Sequence, residues 1–315
     1  MNMVIILLQY TLLFASVLSL VALGGCFSEH SGVINLGLEG IMVMGALAGA
    51  LTFKYLVKDA SPFIVIIAVV AISLLVGVIY SMLLGVAAIK FKADQTLVGT
   101  AMNMLGTAAA TVIAKSVNLA EDPTKPSSEI DYMQGRNSLL FVDGYEFNIF
   151  MVIAVVALIA AYIVLYKTKF GLRLMACGEH PQAADSVGIN VAKMRWAGVM
   201  ISGALGGLGG ICYITAGVSL WKFEVGVAGF GFLALAVMIF GQWKPSRIAL
   251  AALLFGFFRA LSNVNSGFEF LKNLNIPGGV YNMLPYVISL IVLAFTSKKS
   301  RAPKAEGIPY DKSMR

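Results

Sequence analysis

The sequence predicts an all-α, polytopic integral membrane protein with about nine transmembrane helices, within a range of roughly eight to ten. Of its 315 residues, 59% are hydrophobic and only 12% are charged, and the mean hydropathy is +0.85. A water-soluble chain of this length needs far more polar surface. The apolar residues also fall into separate stretches near the roughly 20 residues that a helix needs to cross a hydrocarbon core.

Nine apolar stretches are candidates for these helices. They lie at 3–25, 38–56, 62–89, 96–117, 147–166, 196–217, 228–242, 247–266 and 279–297. The seventh is short and rich in glycine, and we interpret residues 26–37 as a broken or re-entrant segment. Irregular backbone at membrane depth survives only inside protein or beside a water-filled cavity. Residues 1–297 are therefore expected to form a single transmembrane domain, followed by a basic tail at 298–315.

Lysine and arginine set the predicted orientation, because cytoplasmic loops of membrane proteins are enriched in both. If the 167–195 loop is cytoplasmic, alternation of the spans places most of the 23 basic residues, including the tail, on that side. The acidic 118–146 loop then lies outside. We therefore predict a cytoplasmic C-terminus and an extracellular N-terminus. A re-entrant 26–37 segment would place the N-terminus on the cytoplasmic side instead. The same pattern explains the net charge of +7 without a nucleic-acid partner.

Small residues indicate how the helices meet. The string ISGALGGLGGICYITAG contains two GxxxG pairs, Gly203/Gly207 and Gly206/Gly210. Such pairs let helix backbones approach closely inside a membrane. We favour packing within the chain over a dimer interface.

Motifs for catalysis, metal binding and ATP binding are missing from the sequence. It contains no GxxxxGK[ST], HExxH or GxSxG pattern, its two histidines lie far apart, and its three cysteines form no CxxC pair. We therefore expect no catalytic residue, no metal site and no cofactor in the chain. Glu39 is nearly the sole carboxylate inside a span, which disfavours a proton-driven carrier.

The longest predicted cytoplasmic loop reads YKTKFGLRLMACGEHPQAADSVGINVAKMRW, residues 166–196. Pro181 stands where a short helix can begin, Ala183, Ala184 and Val187 share one side of it, and Gly188 ends it. Basic residues flank this helix at Lys169, Arg173, Lys193 and Arg195. A helix of this kind, parallel to the membrane, is a candidate docking element for a cytoplasmic partner. An ordinary amphipathic connector is the alternative.

This loop also carries a resemblance to a known family. Residues 182–188, QAADSVG, resemble the EAAxxxG motif of ABC importer permeases, with glutamine in place of the usual glutamate. The wider string FGLRLMACGEHPQAADSVGIN is similar to the coupling loop of the branched-chain amino acid and simple-sugar permease family. Together with GVINLGLEGIMVMGALAG, it looks most like the nucleoside permeases of that family.

The resemblance implies a permease subunit of an ATP-driven importer in a bacterial cell membrane, without enzymatic activity of its own. A separate cytoplasmic ABC ATPase would bind ATP and magnesium, a second homologous permease would complete a heterodimer, and an extracellular lipoprotein would deliver a nucleoside. The resemblance assigns ATPase coupling to Glu179, Pro181, Gln182, Ala183, Ala184, Asp185 and Gly188. The glutamine at 182 removes a charge and any ion pair expected there.

Polar and aromatic side chains near the spans are candidates for the substrate pathway, because a nucleoside combines a polar ribose with a flat base. The candidates are Asn35, Glu39, Asn103, Phe230, Phe232 and Asn263, with Asn265 and Arg259 as further possibilities. Asn35 and Glu39 would share one face if residues 35–39 were helical. For each candidate the alternative is a packing role, such as a hydrogen bond between helices. Arg259 has the alternative of extending to the membrane interface.

Other transport functions remain open at this point. A simple sugar such as ribose or galactose, or a branched-chain amino acid, would fit the same family. An autonomous channel or secondary carrier would belong to another class, and it would transport substrate without an ATPase. A membrane enzyme is disfavoured because the sequence offers no catalytic group of residues.

Overall fold

The computed structural model of the chain describes residues 3–56, 60–132, 139–140, 147–216, 220–264, 267, 278–296 and 302–312. The helices are α1 (Met3–His30), α2 (Leu38–Leu56), α3 (Pro62–Gly85), α4 (Gln95–Glu121), α5 (Ile149–Lys167), α6 (Lys169–Glu179), α7 (Pro181–Ser186), α8 (Val191–Ile214), α9 (Phe230–Phe240), α10 (Pro245–Val264) and α11 (Gly278–Thr296). A π turn extends α3 through Val86–Lys90, and a 3-10 turn occupies Phe223–Val225. The strands are β1 (Glu129–Asp131) and β2 (Leu220–Lys222).

The all-α polytopic class is confirmed, but the count of about nine spans is not. Helix forms in each of the nine apolar stretches, yet six of the described helices are long and apolar enough to cross a membrane by length and composition. Of the helices in the nine stretches, α2, α9 and α11 are not among the six. Helix α9 has 11 residues, so its length is about 17 Å, roughly half of what a full span needs.

The predicted break in the first hairpin is shorter than 26–37. Helix α1 continues to His30, and the irregular backbone is confined to residues 31–37, most of which are buried. Residues 26–30 form an additional turn of α1, which the connection between α9 and α10 stabilises. The carbonyl of Trp243 in that connection accepts hydrogen bonds from Cys26 Sγ at 3.2 Å and from His30 Nε2 at 3.0 Å. The indole N–H of Trp243 also donates to the carboxylate of Glu29. Residues 26–30 are therefore helical.

Glycine contacts hold α2, α3 and α8 together at the centre of the bundle. A Cβ atom added at Gly45 of α2 would overlap Gly207 of α8, and one added at Gly207 would overlap the backbone of Ser73 in α3. The other three glycines of the two GxxxG pairs likewise face α2 or α3. Packing of these pairs within the chain is therefore confirmed, and the close backbone approach explains why larger residues do not fit there.

The connections gather at two ends of the bundle. One end contains the α6–α7 loop, the α9–α10 connection and the 302–312 segment, where the Ala305 N–H donates to the Gly178 carbonyl at 2.8 Å. At the other end β1 pairs antiparallel with β2, and Lys222 forms an ion pair with Glu129 at 2.8 Å. Connections are expected to group in this way when successive helices cross the membrane in opposite directions. Which end faces the cytoplasm stays a prediction, as does the single domain over 1–297.

Parts of the two predicted extramembrane segments, 118–146 and 298–315, have defined structure. Residues 118–121 of the 118–146 loop belong to α4, and β1 adds a two-stranded sheet to the otherwise helical fold. Residues 133–138 and 141–146 of that loop lie outside the described residues. Within the predicted tail, residues 302–312 pack against the helical bundle.

Candidate functional site

Two asparagines hold the irregular backbone that leads into α2. Asn35 is fully buried; its Nδ2 donates to Ser202 Oγ at 2.8 Å, and its Oδ1 accepts the backbone N–H two residues later at 3.1 Å. Asn103 of α4 donates from Nδ2 to the Leu36 carbonyl at 2.8 Å and accepts at Oδ1 from the Gly40 N–H at 2.8 Å. Because α2 begins at Leu38, Asn35 does not share a helix face with Glu39, contrary to the expectation for residues 35–39.

Glu39 caps the N-terminus of the half-length helix α9. Its Oε1 accepts the Gly229 N–H and its Oε2 accepts the Gly231 N–H, both at 2.7 Å. The first N–H groups of a helix have no intrahelical acceptor, and the helix dipole favours a negative charge beside them. Glu39 is 9% exposed. The Glu39 carboxylate is therefore stable inside the bundle, because it accepts hydrogen bonds from N–H groups at the start of α9. A helix that spanned the whole membrane would have no such unpaired N–H groups at this depth.

Aromatic rings surround the other side of this helix start. Phe230 is 1% exposed, and its ring centroid lies 4.3 Å from that of Tyr213 and 5.7 Å from that of Phe14. The Arg259 guanidinium lies 5.4 Å from the Phe230 centroid and 5.7 Å from the Phe14 centroid. Cation–π attraction therefore holds Arg259 inside the protein, rather than leaving it extended toward the membrane interface.

A cavity of about 830 Å³ opens beside this helix start, along the exposed face of α4. Its lining consists of Glu39, Thr100, Asn103, Met104, Thr107, Ala108, Thr111, Val112, Glu224 and Phe232. The volume lies within the range of about 300–1,000 Å³ that is common for small-molecule sites. The lining joins a mostly apolar wall to hydroxyls, an amide, carboxylates and one aromatic ring.

The structure brings three of the six predicted pathway residues to this cavity, namely Glu39, Asn103 and Phe232. Asn35 and Phe230 are buried in the protein and do not line it. Asn263 is exposed near the end of α10, away from the cavity lining. Asn265 lies outside the described residues.

The threonine-rich side of α4 supplies most of the cavity wall and was not among the predicted pathway residues. Thr100, Met104, Thr107 and Thr111 recur at intervals of three or four residues, so they lie on one helix face. That spacing was readable in the sequence. Glu224 comes from the 3-10 turn after β2 and pairs with Lys115 of α4 at 2.7 Å. No sequence signal pointed to it, because the α4 contact is set by the tertiary fold.

The predicted coupling loop folds into two short helices. Thr168 caps α6 by accepting the Gly171 N–H at its Oγ1, 3.2 Å away, and Pro181 occupies the first turn of α7. Gly188 has φ +85°, a left-handed conformation that residues with a Cβ rarely adopt. The proline and glycine therefore set the two ends of α7 as the sequence predicts.

The exposed surface of this loop differs from the prediction in two respects. Of the three residues expected on one side of α7, Ala184 is buried, whereas Ala183 is exposed and Val187 is 75% exposed. The buried side consists of Pro181 and Ala184, which are three residues apart. Of the four flanking basic residues, Arg195 is 1% exposed and lies beneath the 302–312 segment, so it adds no charge to the loop surface.

The residues assigned to coupling form a single outward-facing region at this end of the bundle. Glu179, Gln182, Ala183 and Gly188 are exposed, and Asp185 is half-buried. Pro181 and Ala184 instead anchor α7 to the protein. The ATPase-coupling role of these residues stays a prediction.

Comparisons with known proteins show the family of the chain. Residues 7–295 match the family model described as branched-chain amino acid transport system / permease component. The chain is 38% identical to the guanosine ABC transporter permease NupQ of Bacillus subtilis, over 98% of each chain. It is 38% identical to the nucleoside ABC transporter permease NupC of Lactococcus lactis, over 99% of this chain and 98% of NupC.

Lactococcus lactis also has a nucleoside ABC transporter permease NupB, which is 24% identical over 92% of this chain and 80% of NupB. No solved structure matches this chain. The family model covers nearly all of the described helices. The chain is therefore a multi-pass membrane protein that belongs to the permease-component family of branched-chain amino acid transport systems.

Proposed function

We propose that the chain is the transmembrane permease subunit of an ABC importer for nucleosides. The full-length similarity to guanosine and nucleoside ABC transporter permeases is the observation that carries this proposal. The cavity supports it, because its threonine hydroxyls and the Asn103 amide suit a ribose and Phe232 suits a base. Simple sugars and branched-chain amino acids have weaker support, since the first relatives transport nucleosides.

A single chain supplies half of the pathway in this proposal. The cavity is open along α4, where exposed side chains include Met104 at 76% and Val112 at 63%. A second, homologous permease closes it. The two different nucleoside permeases of Lactococcus lactis, which are 38% and 24% identical to this chain, support a heterodimer.

Energy comes from a separate cytoplasmic ATPase that docks on the exposed side of α7. The α7 end of the bundle is then cytoplasmic, in agreement with its basic loops. ATP and magnesium bind to the ATPase, and an extracellular lipoprotein delivers the nucleoside. The chain itself binds, guides and releases substrate as the two permeases move.

Substrate class is tested by competition. Cells that carry the complete transporter should take up labelled guanosine, and an excess of unlabelled nucleosides should suppress this uptake. Ribose, galactose and leucine at the same excess should leave it unchanged. Absence of transporter-dependent guanosine uptake, or equally strong suppression by a sugar or by leucine, would overturn the nucleoside assignment.

Phe232→Ala should raise the KM for nucleoside uptake by about tenfold, because stacking on an aromatic ring contributes on the order of 1–3 kcal/mol per base. Phe232 is 47% exposed and lines the cavity. Phe257 of α10 is 39% exposed and is not among the cavity-lining residues, so Phe257→Ala is the matched control and should leave KM unchanged. Equal KM values for both variants would remove Phe232 from the pathway.

A further inference from the structure

The 302–312 segment lies directly on the coupling loop. Its Ala305 N–H donates to the Gly178 carbonyl at 2.8 Å, at the C-terminal end of α6. A Cβ added at Gly178 would come within 3.3 Å of the Pro303 side chain and would overlap the His30 carbonyl. Gly178 is therefore enclosed between the end of α1 and this segment, and the segment follows the loop closely enough to restrict its movement.

Tyr310 extends this contact to the helix that carries the coupling motif. Cys177, Ala184 and Val191 form a small buried cluster between α6, α7 and α8, and Tyr310 packs against it. Ala184 belongs to the buried side of α7, opposite the exposed residues Gln182 and Ala183. The tyrosine thus packs against the cluster that includes the buried side of α7, away from the exposed side that a docking partner would contact.

Further contacts tie the same segment to the membrane-spanning helices. Asp311 forms an ion pair with Lys92 at 2.6 Å, next to the π turn that ends α3. This pair is partly exposed, so it contributes little stability by itself. A Cβ added at Gly307 would meet the Ile34 side chain in the irregular 31–37 backbone. The segment therefore bridges the coupling loop, the end of α3 and the backbone that leads to Glu39.

We propose that Tyr310 is a positioning residue for α7. It fixes α7 relative to the cytoplasmic ends of the transmembrane helices, so that a movement of the docked ATPase is transmitted to the helices that line the pathway. This inference rests on the proposed function. The tyrosine touches neither substrate nor ATP in this role. It acts by restricting rocking of α7 about its Pro181–Ala184 side.

The test compares Tyr310→Ala, Tyr310→Phe and the control Ile308→Ala in the full chain, assembled with its partner permease and ATPase. Ile308 is two residues away, is 57% exposed and is a bulky apolar residue like the tyrosine. The first readout is maleimide labelling of Cys177, located by peptide mass spectrometry. Cys177 is buried, and burial raises the pKa of its thiol to about 11, so labelling reports opening of the cluster.

Tyr310→Ala should speed Cys177 labelling by about tenfold, as expected when a local contact that protects a buried group is lost. It should lower the maximal rate of ATP-driven uptake about tenfold and raise the ATP hydrolysed per nucleoside, with KM for the nucleoside unchanged. Tyr310→Phe keeps the aromatic ring, so its uptake and its Cys177 labelling should match those of the wild type. Ile308→Ala should also match the wild type in both measurements.

Two results would overturn the positioning role. One is unchanged Cys177 labelling in Tyr310→Ala; the other is faster labelling with normal coupled uptake. Failure of the proposed function would look different, because the wild-type complex would then transport no nucleoside. In that event Cys177 protection would still report whether Tyr310 holds α7.

Discussion

Gly188→Arg is expected to abolish ATPase binding and ATP-driven uptake while the chain still inserts into the membrane. Nothing lies within 4 Å of a Cβ added at Gly188, so the arginine side chain projects into open space on the exposed side of α7. A docking partner would occupy that space. The φ of +85° adds a backbone cost of about 1–2 kcal/mol for a residue with a Cβ, which is too small to unfold the chain.

Gly188→Ala is the control for this backbone cost. It carries the same conformational penalty but adds only a methyl group, so it should reduce uptake no more than about threefold. Pull-down of the ATPase by purified permease measures docking directly, and membrane fractionation confirms insertion. Normal ATPase capture by the arginine variant would show that this side of α7 is not the docking surface.

Glu39→Ala is expected to lower the melting temperature of the purified permease and to reduce uptake by at least about tenfold. Two backbone N–H groups at the start of α9 lose their acceptors, at about 1–3 kcal/mol for each buried group left unpaired. The helix start then shifts, and Phe232 on the cavity wall moves with it. Glu39→Gln keeps one acceptor oxygen and should be intermediate in both measurements.

Glu224→Ala separates the capping role from a simple need for negative charge in the cavity. Glu224 lines the same cavity, but it is half exposed and pairs with Lys115 at the surface. Its removal should leave the melting temperature within about 2 °C of wild type, as surface ion pairs contribute little. Equal effects of Glu39→Ala and Glu224→Ala on melting temperature would contradict the capping role of Glu39.

Much of the fold could be predicted from sequence because span length and hydropathy are local properties. The nine apolar stretches, Pro181 and Gly188 at the ends of α7, and the close-packed glycines of α8 were all readable. The count of about nine spans is left unconfirmed, because α2, α9 and α11 are not among the described helices that are long and apolar enough to cross a membrane. The break before α2 was predicted at 26–37 but spans only 31–37, and Glu39 was not predicted as the cap of α9, because the contacts that decide both come from distant segments of the chain.

The candidate site was predictable only in part, because its contacts also come from segments that are distant in the sequence. Glu39 and Asn103 stood out as polar residues inside spans, but their roles depend on partners 190 and 63 residues away. Asn35 and Phe230 fit a polar and aromatic pathway equally well in sequence, but both side chains are buried and neither lines the cavity. Their role in the pathway stays a prediction. Arg195 was predicted to be an exposed charge beside α7, but the 302–312 segment covers it. No local sequence pattern indicates that contact.

Reconstitution into proteoliposomes tests most directly whether the chain is a permease subunit powered by a partner. Labelled guanosine should enter vesicles only when the chain is combined with its partner permease, the ATPase, the substrate-binding protein and ATP, and the Gly188→Arg variant should show none of this uptake. Guanosine uptake by vesicles that contain this chain alone, at the same rate with and without ATP, would contradict the assignment as a permease subunit powered by a partner. That result would indicate an autonomous channel or carrier.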